Sequence, residues 1–119
     1  MLLNTRSPEE YRGELVAPPH EMNHGAERTG RIPGAIHLYY QELLNDDDTY
    51  KSPDELKAIF AASGLSPDGG DEIVGYCRLT HRATFTWFAM RDILGFDNVK
   101  LYDGSWTDWG SIVGFPGEK

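Results

Sequence analysis

Residues 72–88 read EIVGYCRLTHRATFTWF, and this run decides the fold. Its first five residues, EIVGY (72–76), form a short, nearly continuous apolar segment of the kind that parallel sheets bury on both faces. The loop CRLTHR (77–82) follows, and a strongly apolar helical stretch runs from Ala83 to Leu94 before Gly95 stops it. In open parallel α/β sheets, ligands gather where the strands' carboxyl ends meet the following helices, and Cys77 occupies that position.

Working outward, residues 98–102 (NVKLY) predict a last strand, and DGSWTDWG (103–110) a turn and a short helical piece. On the other side, Leu56, Ile59 and Phe60 make an amphipathic helix that Ser52, Pro53 and Glu55 start and Gly64 ends. AIHLYY (35–40) predicts a strand running into a brief helix around residues 41–44, broken by the polar run 45–48. Residues 1–4 (MLLN) predict a short buried strand. Ser7, Pro8 and Glu10 then carry the signature of a capped helix start. Residues 13–34 are rich in Pro, Gly, His and charge, lack an apolar period, and predict one long surface loop. Strands alternating with helices predict an α/β sandwich with a central, mainly parallel sheet.

With 119 residues, 39% apolar and 25% charged, the chain has room for one core, so a single domain over 1–119 is expected. No apolar run approaches a membrane span, and the N-terminus lacks the basic and apolar segments of an export signal. One cysteine excludes an internal disulfide, and the cytoplasm is the expected compartment. The net charge of −8 disfavours nucleic acid and anionic membranes as partners.

On this acidic background Arg78, Arg82 and Arg91 crowd around Cys77. Successive loop N–H groups and the positive end of the following helix make a cradle for negative charge, which favours a thiolate over a thiol. Arg78 and Arg82 remain charged at any working pH and suit bidentate binding of an oxyanion. The plain alternative is a buried, inert cysteine. Strand, cysteine, four residues, arginine, helix is a far more specific pattern than a cysteine alone. His81 lies inside the loop and is a candidate to orient a donor, the alternative being a solvated loop histidine. His20 and His24 flank Glu21 at helical spacing, but Pro18 and Pro19 precede them and no third ligand follows, so no metal is expected. Phe85, Trp87 and Phe88 read as core packing. Trp106 and Trp109, with Arg31, are candidate pocket-wall residues, packing being the alternative for the two tryptophans, and Arg28 with Arg31 are candidates to reach an anion, the alternative being solvated loop arginines.

RSPEEYRGE (6–14), GRIPGAIHL (30–38), YKSPDELKAIFAASGL (50–65), the run 72–88 and NVKLYDGSWTDWG (98–110) resemble the catalytic C-terminal half of tandem-domain thiosulfate sulfurtransferases of the rhodanese family. The resemblance implies a rhodanese-like three-layer α/β/α sandwich. It also implies a sulfurtransferase in which Cys77 takes the outer sulfur of thiosulfate or a related donor as a persulfide and passes it to cyanide or another thiophile. Cys77 matches the nucleophile. Arg78, Leu79, Thr80, His81 and Arg82 match the substrate-binding loop, whose backbone cradles persulfide and sulfite and which Arg82 closes. No cofactor is implied.

Arg78 directly after the cysteine favours thiosulfate over mercaptopyruvate as donor. Thr80 stands where related loops often have glycine, and a β-branched residue tolerates positive φ poorly, which implies lower activity. Leu79 stands where some thiosulfate users have lysine. Asn4 replaces the aspartate of the family's L-V-D-V-R opening, which puts in doubt a buried ion pair with an arginine, for which Arg6 is the nearest candidate. Tandem relatives close the active site between two domains, so an exposed face is expected here for a partner domain or a second copy. Two competing readings remain: a non-catalytic or sulfur-relay module derived from a tandem rhodanese, and a cysteine-dependent phosphatase or arsenate reductase. The latter enzymes use a loop one residue longer, C-x5-R.

Overall fold

A computed structural model of the chain describes residues 1–15, 28–65, 72–77 and 81–119, with His81 described through its backbone alone. Four short strands, β1 (Leu2–Asn4), β2 (Ile36–His37), β3 (Ile73–Tyr76) and β4 (Val99–Leu101), lie in the order β2-β1-β3-β4. All three neighbouring pairs are parallel. Parallel neighbours need crossovers. Helix α1 (Pro8–Tyr11) lies in sequence between β1 and β2, α2 (Pro53–Ala62) between β2 and β3, and α3 (His81–Phe88) between β3 and β4. Helix α4 (Ser105–Trp109) follows β4.

Strand pleating sends alternate side chains to opposite faces, and the register assigns each face its own core. Leu3 pairs with Ile36 and Gly75, and Ile73 with Val99. On that face Leu3 and Ile73 pack with Leu56 and Phe60 of α2 and with Ala89 and Met90 beyond α3. Leu2, Asn4 and Tyr76 point the other way, where Tyr76 packs with Ile32, Ala35 and Trp106 of α4. The sheet thus lies between two apolar layers, as the α/β sandwich expectation requires.

The two capped helix starts are present. Ser7 Oγ accepts from Glu10 N–H while the Glu10 carboxylate accepts from Ser7 N–H, a complete capping box. Ser52 Oγ accepts from Glu55 N–H in the same way at α2. Differences lie in extent. The predicted 83–94 helix begins at His81 and changes after Phe88 into a π-helical turn, Ala89–Ile93, in which Leu94 N–H donates to Ala89 O at 3.0 Å. Strand β2 is only two residues long, although Leu38 N–H and Tyr40 N–H continue the bonding, to Asn4 O at 3.0 Å and Thr5 O at 3.2 Å. Tyr40–Leu43 then forms the brief helix, of 3₁₀ type.

Two packing expectations need correction. Phe85 and Phe88 are 42% and 43% exposed, because α3 turns Arg82, Ala83 and Thr86 inward, and the two phenylalanines fall on the outer side. There Phe85 stacks on Tyr40 and Phe88 on Tyr50, and an apolar groove of about 530 Å³ opens among Tyr50, Thr84, Phe85 and Phe88. Within 13–34, Ile32 is buried in the second core, so this end of the long loop is not superficial. Arg31 forms an antiparallel bridge with Glu118. His20, Glu21 and His24 lie outside the described residues. Among the described residues no helix is long and apolar enough to cross a membrane.

Candidate active site

β1 and β3 are the two central strands, and the residues that follow them build the site. Thr5 fastens the two ends together: its N–H and hydroxyl both donate to Tyr76 O, at 3.0 and 3.2 Å. Cys77 comes next after Tyr76 and is fully buried. Its N–H donates to Ser105 Oγ at 3.2 Å, and its carbonyl accepts from Trp106 N–H at 2.9 Å. Ser105 adopts φ +52°, uncommon for a residue with a side chain, and donates its hydroxyl to Tyr102 O at 2.9 Å. The start of α4 therefore grips the cysteine's backbone on both sides.

The charged groups here are buried. Arg82 donates from its two terminal nitrogens to Glu10 Oε1 and Oε2, at 2.7 and 2.9 Å, in a pair that is 3% and 0% exposed. Glu10 Oε1 also accepts from the Ser7 hydroxyl at 2.9 Å. Burial pushes the Glu10 carboxyl up. The hydrogen bonds and charge of Arg82, the charge of Arg6 and the Ser7 bond outweigh it and hold the group below its ordinary range. Arg82, in the first turn of α3, is thereby anchored to Glu10 of α1.

Arg6, immediately beyond β1, is fully buried as well. Its Nε and backbone N–H donate to Asn4 Oδ1, at 3.4 and 2.9 Å, and one terminal nitrogen donates to Gly30 O. Its guanidinium lies 5.0 Å from the Trp106 ring centroid. Asn4 Nδ2 in turn donates to the Tyr76 hydroxyl at 3.1 Å. Asparagine in the aspartate's place keeps the arginine bonded without pairing its charge.

Several sequence candidates gather elsewhere. Arg31 donates to Glu118 Oε1 and Tyr11 O and lies over the Tyr11 ring at 4.3 Å, and Arg28 donates to Gly110 O and Trp109 O. Arg91 lies over Trp87 at 5.2 Å. Trp106 is fully buried, with its indole N–H on Arg28 O at 2.7 Å. It forms the floor beneath Arg6. Arg78, Leu79, Thr80 and the His81 side chain lie outside the described residues. Reading the sequence missed Glu10 as the partner of Arg82, because its place in the capping box already accounted for it. Thr5 carries no motif, and the run DGSWTDWG (103–110) did not mark Ser105 as a partner of the cysteine's backbone.

Fold and site together define a parallel α/β domain that presents one cysteine at the carboxyl end of a central strand, beside a buried cluster of opposed charges. The chain belongs to the rhodanese family: the model for the Rhodanese-like domain matches residues 1–112. It is 46% identical over 118 residues to a Haloferax volcanii protein named "Putative thiosulfate sulfurtransferase", covering 99% of this chain and 40% of that protein. It is 45% identical over 115 residues to the "Sulfur carrier protein TtuD" of Thermus thermophilus, covering 97% of this chain and 40% of that one. The chain therefore spans about two fifths of the length of these relatives. Among solved structures it resembles the anaerobic ergothioneine biosynthesis enzyme of Chlorobium limicola in complex with trimethyl histidine, with TM-score 0.83 and 30% identity, covering 99% of this chain and 28% of that enzyme. A structure of EanB with ergothioneine covalently linked to a persulfide cysteine matches equally well, with TM-score 0.83 and 31% identity.

Proposed function

We propose that this domain is a sulfurtransferase that carries sulfane sulfur on Cys77, loaded from thiosulfate or a related anionic donor and discharged to cyanide or another thiophile. The observation that carries the reading is the placement of the chain's one cysteine at the carboxyl end of β3, its backbone held by Ser105 and Trp106. In the loading step the Cys77 thiolate attacks the outer sulfur of thiosulfate. A sulfur–sulfur bond forms, the donor's own sulfur–sulfur bond breaks, and sulfite departs with the bonding pair. In the second step the acceptor attacks the outer sulfur of the persulfide, and the thiolate is regenerated. Because Cys77 is buried, donor and acceptor have to reach it through an opening at this end of the sheet.

The loop length speaks against a phosphatase or arsenate reductase: those enzymes use a C-x5-R loop, and here only four residues separate Cys77 from Arg82. The relay reading has support of its own. One relative is named a sulfur carrier, and the aromatic groove beside α3 offers a face to a partner domain or a second copy.

Steady-state thiocyanate formation from thiosulfate and cyanide separates these readings. Turnover by the wild type that is lost in Cys77→Ser supports the transferase. Sulfur loading without turnover supports the relay, and hydrolysis of an aryl phosphate would overturn both.

A further inference from the structure

The exposed Phe85 and Phe88 of α3 form one wall of the apolar groove, and the segment after β2 forms the other. Tyr40 stacks on Phe85 at 5.7 Å between ring centroids, and Tyr50 on Phe88 at 5.9 Å. The Tyr50 hydroxyl donates to Phe85 O at 2.8 Å, which ties the walls together and fixes the shape of the groove. Exposed apolar groups that cluster, where scattered ones would be ordinary, mark a docking surface. The groove adjoins the cysteine. Tyr40 N–H donates to Thr5 O, Thr5 N–H donates to Tyr76 O, and Cys77 is the next residue. Helix α3 itself starts four residues beyond Cys77.

The rim of the groove selects its occupant. Leu44 bridges to Tyr50, Asn45 N–H donates to Thr49 O at 2.7 Å, and the Asn45 side-chain amide donates to Tyr50 O at 3.1 Å, so residues 44–50 form a tight turn with Tyr50 at its base. Asp46, Asp47 and Asp48 are exposed on that turn, and Glu42 is exposed two residues from Tyr40. Against these four carboxylates the segment 40–51 holds one cation, Lys51, while beyond Phe88 the charges of Arg91 and Asp92 cancel. Such a rim repels an anionic lipid surface or a small anionic donor, and a second copy brings the same carboxylates and a net charge of −8. A protein surface that offers an apolar side chain to the groove and surrounds it with lysine or arginine is complementary on both counts.

We propose that this groove docks the protein that takes sulfur from Cys77, through an apolar side chain set among basic residues. The proposal rests on the sulfur-transfer reading, but its first test is binding alone. Two synthetic peptides share a central pair of leucines and a terminal cysteine and differ in their flanks, lysine in one and glutamate in the other. The lysine peptide should bind about tenfold tighter or more, and its affinity should fall as salt is raised. Phe85→Ser combined with Phe88→Ser should weaken its binding roughly fivefold or more. Asp46→Asn combined with Asp48→Asn should shrink its advantage over the glutamate peptide; asparagine tolerates the φ of +65° at Asp48. Unfolding midpoints check that each variant keeps its fold.

Mass spectrometry then follows sulfur from the thiosulfate-loaded chain to the peptide. The peptide thiolate attacks the outer sulfur of the persulfide, Cys77 leaves as thiolate, and the peptide becomes the persulfide. Equal affinity for the two peptides, affinity untouched by the phenylalanine substitutions, or binding of neither peptide would overturn the proposal. So would a dimer in sedimentation that Phe85→Ser disperses, which would give the groove to a second copy. If thiosulfate loads no sulfur onto Cys77 while the binding differences hold, the transfer reading fails and the docking surface stands. If sulfur loads and cyanide removes it, but the lysine peptide takes it no faster than the glutamate peptide, the transfer reading stands and the proposal fails.

Discussion

Glu10 serves three donors at once: the Ser7 N–H that completes the cap of α1, the Ser7 hydroxyl, and the guanidinium of Arg82. Glu10→Gln keeps the shape and an acceptor oxygen but leaves the Arg82 charge buried without its counter-ion. Removing one partner of a buried pair costs about 3–5 kcal/mol, and urea unfolding should show a loss of that order. The same group sets an acid limit. Its folded value lies below the ordinary 4.5, so its contribution is fully present above that pH and is lost as pH falls through the lower folded value. The stability gap between wild type and Glu10→Gln should therefore narrow below about pH 4.5. A gap that stays constant down to strong acid would show that the pair is not what Glu10 contributes.

At the scale of elements, the helix boundaries were legible because they are local chemistry: Ser7 and Ser52 cap, Pro8 and Pro53 open, and Gly64 and Gly95 stop. Gly64 adopts φ +84°, and a methyl group added there would meet none of the described residues within 4 Å, so the expected cost of Gly64→Ala is backbone strain. Its cost should be about 1–2 kcal/mol by thermal or urea unfolding, and a neutral result would mean that the turn after α2 relaxes freely. Which face of α3 turns inward was not legible. Phe85 and Phe88 look like core residues by hydrophobicity, yet the inner side is taken by Ala83, Thr86 and Ala89, small enough for α3 to lie close, and by Arg82, which Glu10 draws in. Such a choice depends on a partner some 70 residues away in the sequence, which no local pattern encodes.

For the molecule as a whole, the class of fold followed from strands alternating with helices, and the structure adds that all the strand pairs are parallel and that each sheet face has its own core. The cysteine could be found from its neighbours in sequence. The buried charge cluster beside it could not, since Arg6, Glu10 and Arg82 meet only after β1 and β3 pair. The account's central claim is that this one buried cysteine, held at the end of β3, accepts a sulfur atom. Intact-mass spectrometry of the chain after incubation with thiosulfate tests it most directly. The wild type should gain the mass of one sulfur atom and lose it again on addition of cyanide, and Cys77→Ser should gain nothing. A wild-type mass unchanged by thiosulfate, or an identical gain in Cys77→Ser, would contradict the account.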